Sequence, residues 1–107
     1  MFRDDRQRAL ACRALLASVR LGRLWTEDGP SDEALGLLDS NGGPLSSGER
    51  IMLLSAFAFW NGSGGLTLTE ILDSLDAKRA EALASLVVSA NRGAGAVDAW
   101  LAEHGET

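Results

Sequence analysis

At 107 residues and 46% apolar, with a formal net charge of −5, the chain has the length of one domain and the composition of a folded globule, which excludes intrinsic disorder. One cysteine, Cys12, excludes an intrachain disulfide, and one histidine, His104, leaves no conventional zinc ligand set in a single chain. No run approaches the roughly 18 apolar residues of a membrane span, and residues 1–6 lack the apolar stretch of a secretory signal, so a cytoplasmic protein with no membrane partner is expected.

Residues 3–25 read as one long helix. Asp4 and Asp5 lie in its first turn and Arg20 and Arg23 in its last, which suits the helix dipole. Leu10, Ala14, Leu15, Val19, Leu21 and Trp25 fall on one broad face. Arg6, Arg13 and Arg20 recur every seven residues on the opposite one. The apolar face is wider than one neighbour requires, so it packs against two neighbours or against another chain. Charge is divided unevenly. Residues 1–25 hold six arginines against two aspartates, a local charge of +4; residues 26–107 hold four basic against thirteen acidic residues, −9.

Thr26–Pro30 breaks the helix. Ser31 or Asp32 caps a short helix at 33–38 with Leu35 and Leu38 inward, and Asp39–Pro44 forms a turn. Ser46 and Glu49 make an S-x-x-E capping box that opens a helix at about 47–60. Nine of the ten residues from Ile51 to Trp60 are apolar, Ser55 being the exception. A helix apolar on all sides must be covered on all sides, so this one is placed at the centre of the fold.

Asn61–Gly65 ends the central helix. Thr67 and Glu70 make a second capping box, before a helix at 68–75 with Leu68, Ile71, Leu72 and Leu75 inward. Asp76 caps the next helix, 77–91, with Ala80, Leu83, Leu86, Val87 and Ala90 inward and Lys78, Glu81, Ser85 and Ser89 outward. Gly93 stops it, and a last helix at 96–104 presents Val97, Trp100 and Leu101. No stretch alternates with a period of two, so no sheet is expected. The predicted fold is all-α: a single domain over 1–107, with a helical body at 31–104 and five or six helices around the central one.

Few residues suggest chemistry. The two glycine turns resemble EF-hand loops ahead of Glu49 and Glu70, but counting back from Glu70 puts Phe59 at the first ligand position, and counting back from Glu49 puts Leu38 there. Helix stops followed by capping boxes explain the same residues. Segment 67–91 has the outline of a helix-turn-helix, yet its second helix is mixed in charge and belongs to an acidic body that phosphates would repel. His104 has no recognisable nucleophile to serve, and Cys12 falls beside the apolar face of the first helix.

No cofactor, metal or catalytic set is therefore expected. The expected function is a non-enzymatic interaction module, an adaptor, inhibitor or assembly subunit. Its partner is another protein, an acidic one by the arginine face, or a second copy of the chain. The candidate contact residues are Arg6, Arg13, Arg20 and Arg23, since guanidinium pairs bidentately with carboxylate, and Trp25, Trp60 and Trp100, since tryptophan anchors interfaces. A nucleic-acid-associated regulator using 67–91 is the disfavoured alternative. The abundance of Ala, Arg, Gly, Leu and Asp has the character of a high-GC bacterial genome.

Overall fold

Five of the helices among the described residues begin where a short polar side chain accepts from an otherwise orphaned backbone N–H, while the last begins at Gly93 without one. Asp4 accepts from Gln7 N, Ser31 from Ala34 N, Ser46 from Glu49 N, Thr67 from Glu70 N and Asp76 from Arg79 N, all at 2.8–3.3 Å. At Ser46 and Thr67 the glutamate reaches back to the cap N–H, so both predicted capping boxes are complete. The computed structural model describes residues 1–105; the last two residues of the single domain read from sequence lie outside it. The element order is α1 (Asp5–Ala17), a 3-10 turn (Gly22–Leu24), β1 (Trp25–Thr26), β2 (Gly29–Pro30), α2 (Asp32–Asp39), α3 (Ser47–Asn61), α4 (Leu68–Ser74), α5 (Ala77–Arg92) and α6 (Ala94–His104). Among the described residues the fold is all-α, a bundle of six helices.

The first helix is shorter than 3–25. It closes with a Schellman motif: Leu21 N donates to Leu16 O at 2.9 Å and Arg20 N to Ala17 O at 3.0 Å, with Arg20 in the left-handed region at φ 63°. Ser18 Oγ also donates to Leu15 O. The turn lets Leu21, Leu24 and Trp25 fold back onto the core instead of running past it, and all three are buried. An arginine where glycine is favoured costs about 1–2 kcal/mol of backbone strain, against about 0.5–1 kcal/mol of extra chain entropy for glycine. Arg20→Gly is therefore expected to stabilise the fold by about 0.5–1 kcal/mol, read as a rise in the thermal midpoint. An unchanged or lower midpoint would show that the arginine side chain contributes more than its backbone costs.

The expectation of no sheet is also corrected. β1 and β2 form a small antiparallel hairpin, Trp25 opposite Pro30 and Thr26 opposite Gly29, with Glu27 and Asp28 at the turn. Thr26 Oγ1 accepts from Asp28 N and donates to Gly29 O, both at 3.1 Å. Two-residue strands carry no period-two pattern that a sequence could display. Gly29 has φ 129°, and a Cβ there would lie 2.8 Å from the Trp60 ring, so the glycine serves a close approach as well as the turn.

α3 is central as predicted, and Ile51–Phe57 are buried without interruption. Ser55 is accommodated because its hydroxyl donates to Ile51 O at 2.7 Å. The wide face of α1 is shared by two neighbours of the same chain, α3 and α6, and α5 pairs with α6. Gln7, buried on α1, ties that arrangement together: its amide donates to Ala94 O and to Asp98 Oδ1, both at 2.9 Å, and accepts from Arg3 N.

Several faces differ from the predicted ones. In α2 it is Ala34 that is buried, while Leu35 is exposed. α4 has no buried residue, and Leu68 and Leu72 point to solvent. On α5, Leu83 and Leu86 are buried as expected, but Val87 is exposed. Ser85, expected outward, accepts from Trp100 Nε1 at 2.9 Å, because α6 packs along that side. The last turn of α3 is not covered: Ala58 is exposed and Phe59 and Trp60 are half-buried.

Candidate partner-binding surface

Arginines on and beside α1 meet the chain's own carboxylates. Arg6 lies 3.2 Å from Glu27, Arg23 3.1 Å from Glu33 and Arg3 2.6 Å from Asp98. Such exposed pairs contribute about 0.2–1 kcal/mol each and exchange easily. Arg13 is exposed on α1 and borders a shallow depression with Leu10, Ala14 and Leu101. Arg20 and Arg23 lie beyond the helix end, so the seven-residue stripe does not continue as a helical row. Arg8 is half-buried, 5.5 Å from the Phe2 ring centroid, and its guanidinium donates to Trp60 O at the C-terminal end of α3.

The three tryptophans do not form one patch. Trp25 is only 1% exposed, edge-on to Phe57 at 4.9 Å and to Trp60 at 6.1 Å. Trp60 is half-buried beside Gly29. Trp100 is buried apart from them, stacked on His104 at 4.6 Å. Trp25 and Trp100 are thus core residues in this conformation, and only Trp60 reaches the surface to any extent.

The residues with chemical potential are occupied by structural bonds. His104 Nδ1 pairs with Trp100 O at 3.1 Å. Ser85 Oγ donates to Ala82 O while accepting from Trp100. Glu49 and Glu70 serve as capping residues, and Glu70 also accepts from Arg50 at 3.2 Å. These bonds hold both carboxyls below their usual range, the contacts with Ser46 and Thr67 being the leading causes. Arg3, then Gln7, do the same for Asp98. The stabilisation from these groups is present at neutral pH and is lost as pH falls through the carboxylate range. Among the described residues no cluster of His, Cys, Asp or Glu is arranged to hold a metal ion. No helix among them is long and apolar enough to cross a membrane.

Two further concave features bear on binding. Between α5 and α6 runs a cleft of about 460 Å³, with Lys78, Arg79 and Arg92 balanced by Glu81 and Glu103 and a floor of Trp100, Ala82 and Ser85. Its mixed charge selects no ligand sign. The other is an apolar groove of about 230 Å³ where α3, α4 and α5 meet, lined by Ser55, Ala58, Phe59, Leu66, Ile71, Leu83 and Val87. Beside Ile71 on α4 stand Leu68, 79% exposed, and Leu72, 81% exposed, one turn apart. On α5, Val87 and Val88 are 45% and 49% exposed. Covering one fully exposed leucine is worth about 1.5–3 kcal/mol, so this face has a strong drive to be covered.

The sequence held a sign of this surface. The apolar residues of α5, including Ala84, Val87 and Val88 besides Leu83 and Leu86, occupy a wider arc than contact with α6 and α1 uses. Compared with protein-family models, curated proteins and solved structures, the chain matches none of them.

Proposed function

We propose that this chain is a non-enzymatic protein-interaction module, an adaptor or assembly subunit acting in the cytoplasm, and that its contact surface is the α3–α4–α5 groove rather than the arginine face of α1. The observation that carries this reading is the pair Leu68 and Leu72, exposed side by side next to an apolar groove. Exposed apolar patches of this kind mark association sites. Arg20 and Arg23 lie beyond the end of α1, so the helix presents no continuous arginine row, and this weighs against it as the principal surface. Nucleic acid is disfavoured: α4 and α5 keep the helix-turn-helix outline, but α6 lies along the Ser85 side of α5, and Asp73, Asp76 and Glu81 flank the pair.

The test is photo-crosslinking in cells from a reactive residue placed at position 72, with position 13 on α1 as the comparison. Crosslinked product is expected from 72 and to be lost in a chain carrying Leu68→Glu. Because Leu68 is exposed, that substitution is expected to change stability by no more than about 0.5 kcal/mol. Crosslinks from 13 but not from 72 would return the contact surface to the arginine face.

A further inference from the structure

We infer that α4 is a hinged flap that swings off α3 as one piece while the rest of the fold stays closed, with Arg50 and Glu70 as its latch. The flap deepens the reading of the α3–α4–α5 groove as a contact surface, because its opening uncovers Leu54 and lengthens that groove along α3.

α4 lies antiparallel along α3. A Cβ on Gly48 would sit 3.3 Å from Ser74 O, Arg50 meets Glu70 at 3.2 Å, and a Cβ on Gly64 would sit 3.3 Å from the Leu54 side chain. Its hold there is slight. Each of the other five helices among the described residues buries at least one residue, and α4 buries none. Its contact with the core comes from half-buried Ile71 and Leu75. Elements that bury so little apolar area open at a lower free energy than the whole fold does.

Both ends of α4 are jointed. Before it, Gly62, Gly64 and Gly65 have φ of 76°, 98° and 68°. A Cβ on Gly62 or Gly65 would touch nothing within 4 Å, so these two serve the path of the backbone and not close packing. After it, one extended residue, Leu75 at φ −101° and ψ 139°, leads to Asp76, which caps α5 through Arg79 N. Hinges are a few such residues between elements that keep their own bonds. α4 keeps its Thr67–Glu70 capping box when it moves, because that box lies within the flap.

The latch crosses from one body to the other. Both terminal nitrogens of Arg50 donate to Glu70 Oε2 at 3.2 Å, and the same guanidinium is held by Asn41 Oδ1. The Arg50–Glu70 pair exists only while the flap is shut, so its removal destabilises the shut state alone.

Residue-resolved hydrogen exchange on the purified chain tests this at Ile71 N, which donates to Thr67 O, and Leu75 N, which donates to Ile71 O. Both are expected to exchange at least about tenfold faster than the amides of 53–57 in α3. Arg50→Met keeps the aliphatic stem beside Gly42 and leaves the sequence of α4 untouched; it is expected to speed both by about two- to fivefold. Glu70→Gln, whose side chain still accepts from Thr67 N, is expected to give the same factor, and the double variant no more than either. Val97→Ala, at a fully buried site on α6, is expected to speed 53–57 and leave Ile71 and Leu75 unchanged, since the contacts of Val97 persist when the flap is open. Ile71 and Leu75 speeding together with 53–57 in Val97→Ala would overturn the proposal, because α4 then opens only with the whole fold. Indifference of Ile71 and Leu75 to Arg50→Met would overturn it too, because the helix then merely frays in place. Neither result touches crosslinking from position 72, so failure of the flap and failure of the contact-surface reading are distinguishable.

Discussion

Replacing Phe57 with alanine is expected to destabilise the fold by about 4 kcal/mol. Phe57 is 1% exposed in the middle of α3, and Trp25 meets it edge-on at 4.9 Å. Three losses coincide there: the transfer free energy of the ring, the cavity it leaves, and the aromatic pair, itself worth about 0.5–1.5 kcal/mol. The backbone cannot close over the gap easily, because Gly64 approaches Phe57 from one side and Trp25 is held by the hairpin on another. A domain of this size has about 5–15 kcal/mol in all, so the variant sits near the edge of folding. In urea, with a slope of about 1.5 kcal/mol per molar, the midpoint falls by roughly 2.5 M. Phe59→Ala, two residues on at the open end of the same helix, is expected to cost less than half as much. Equal losses at the two positions would mean that the core is not centred on Phe57.

The second large effect is alkaline and belongs to Cys12. The thiol is fully buried, donates to Ala56 O at 3.3 Å, and is pushed up to about 12 by burial, with Arg8 opposing the shift. The folded state therefore favours the neutral thiol. The stabilisation is whole below the ordinary thiol value of about 9 and is lost as pH rises from there towards about 12. Between pH 9 and 11 the wild type is expected to lose roughly 2–3 kcal/mol more than Cys12→Ala does, from denaturation midpoints at each pH. The comparison is clean because the chain has no tyrosine and its single lysine, Lys78, is exposed. Parallel pH profiles for the two proteins would show that the thiol reaches solvent in the native state. The same burial predicts that a thiol reagent at neutral pH reacts only through opening of the fold, at a rate that denaturant accelerates.

Local features proved legible because the bonds that make them span three or four residues. Ser46 with Glu49, Thr67 with Glu70, and Asp76 could be paired by eye, and each caps the helix it was expected to cap. The run Ile51–Phe57 announced its burial because no amphipathic placement could satisfy it. The end of α1 was not legible in the same way. Arg20 gives no sign of a left-handed residue, and only the gain from returning Leu21, Leu24 and Trp25 to the core selects that conformation.

The candidate surface shows the same division more sharply. Leu68, Ile71, Leu72 and Leu75 have the spacing of one inward face, and nothing within α4 says that Ile71 and Leu75 will pack against the core while Leu68 and Leu72 will not. That outcome depends on how much apolar area α3 and α5 leave available, which is a property of the whole packing. The charge split was likewise written in the chain. Which arginine meets which carboxylate was not, since Arg3 and Asp98 are 95 residues apart and come together only when α1 and α6 pack around Gln7. Sequence alone determined the helical class, the starts of the helices capped by Ser46, Thr67 and Asp76, and the central helix, all set by short-range bonding and by periodicity. Tertiary structure alone decided which tryptophans are core and which leucines are left uncovered, because burial is settled by neighbours distant in the chain.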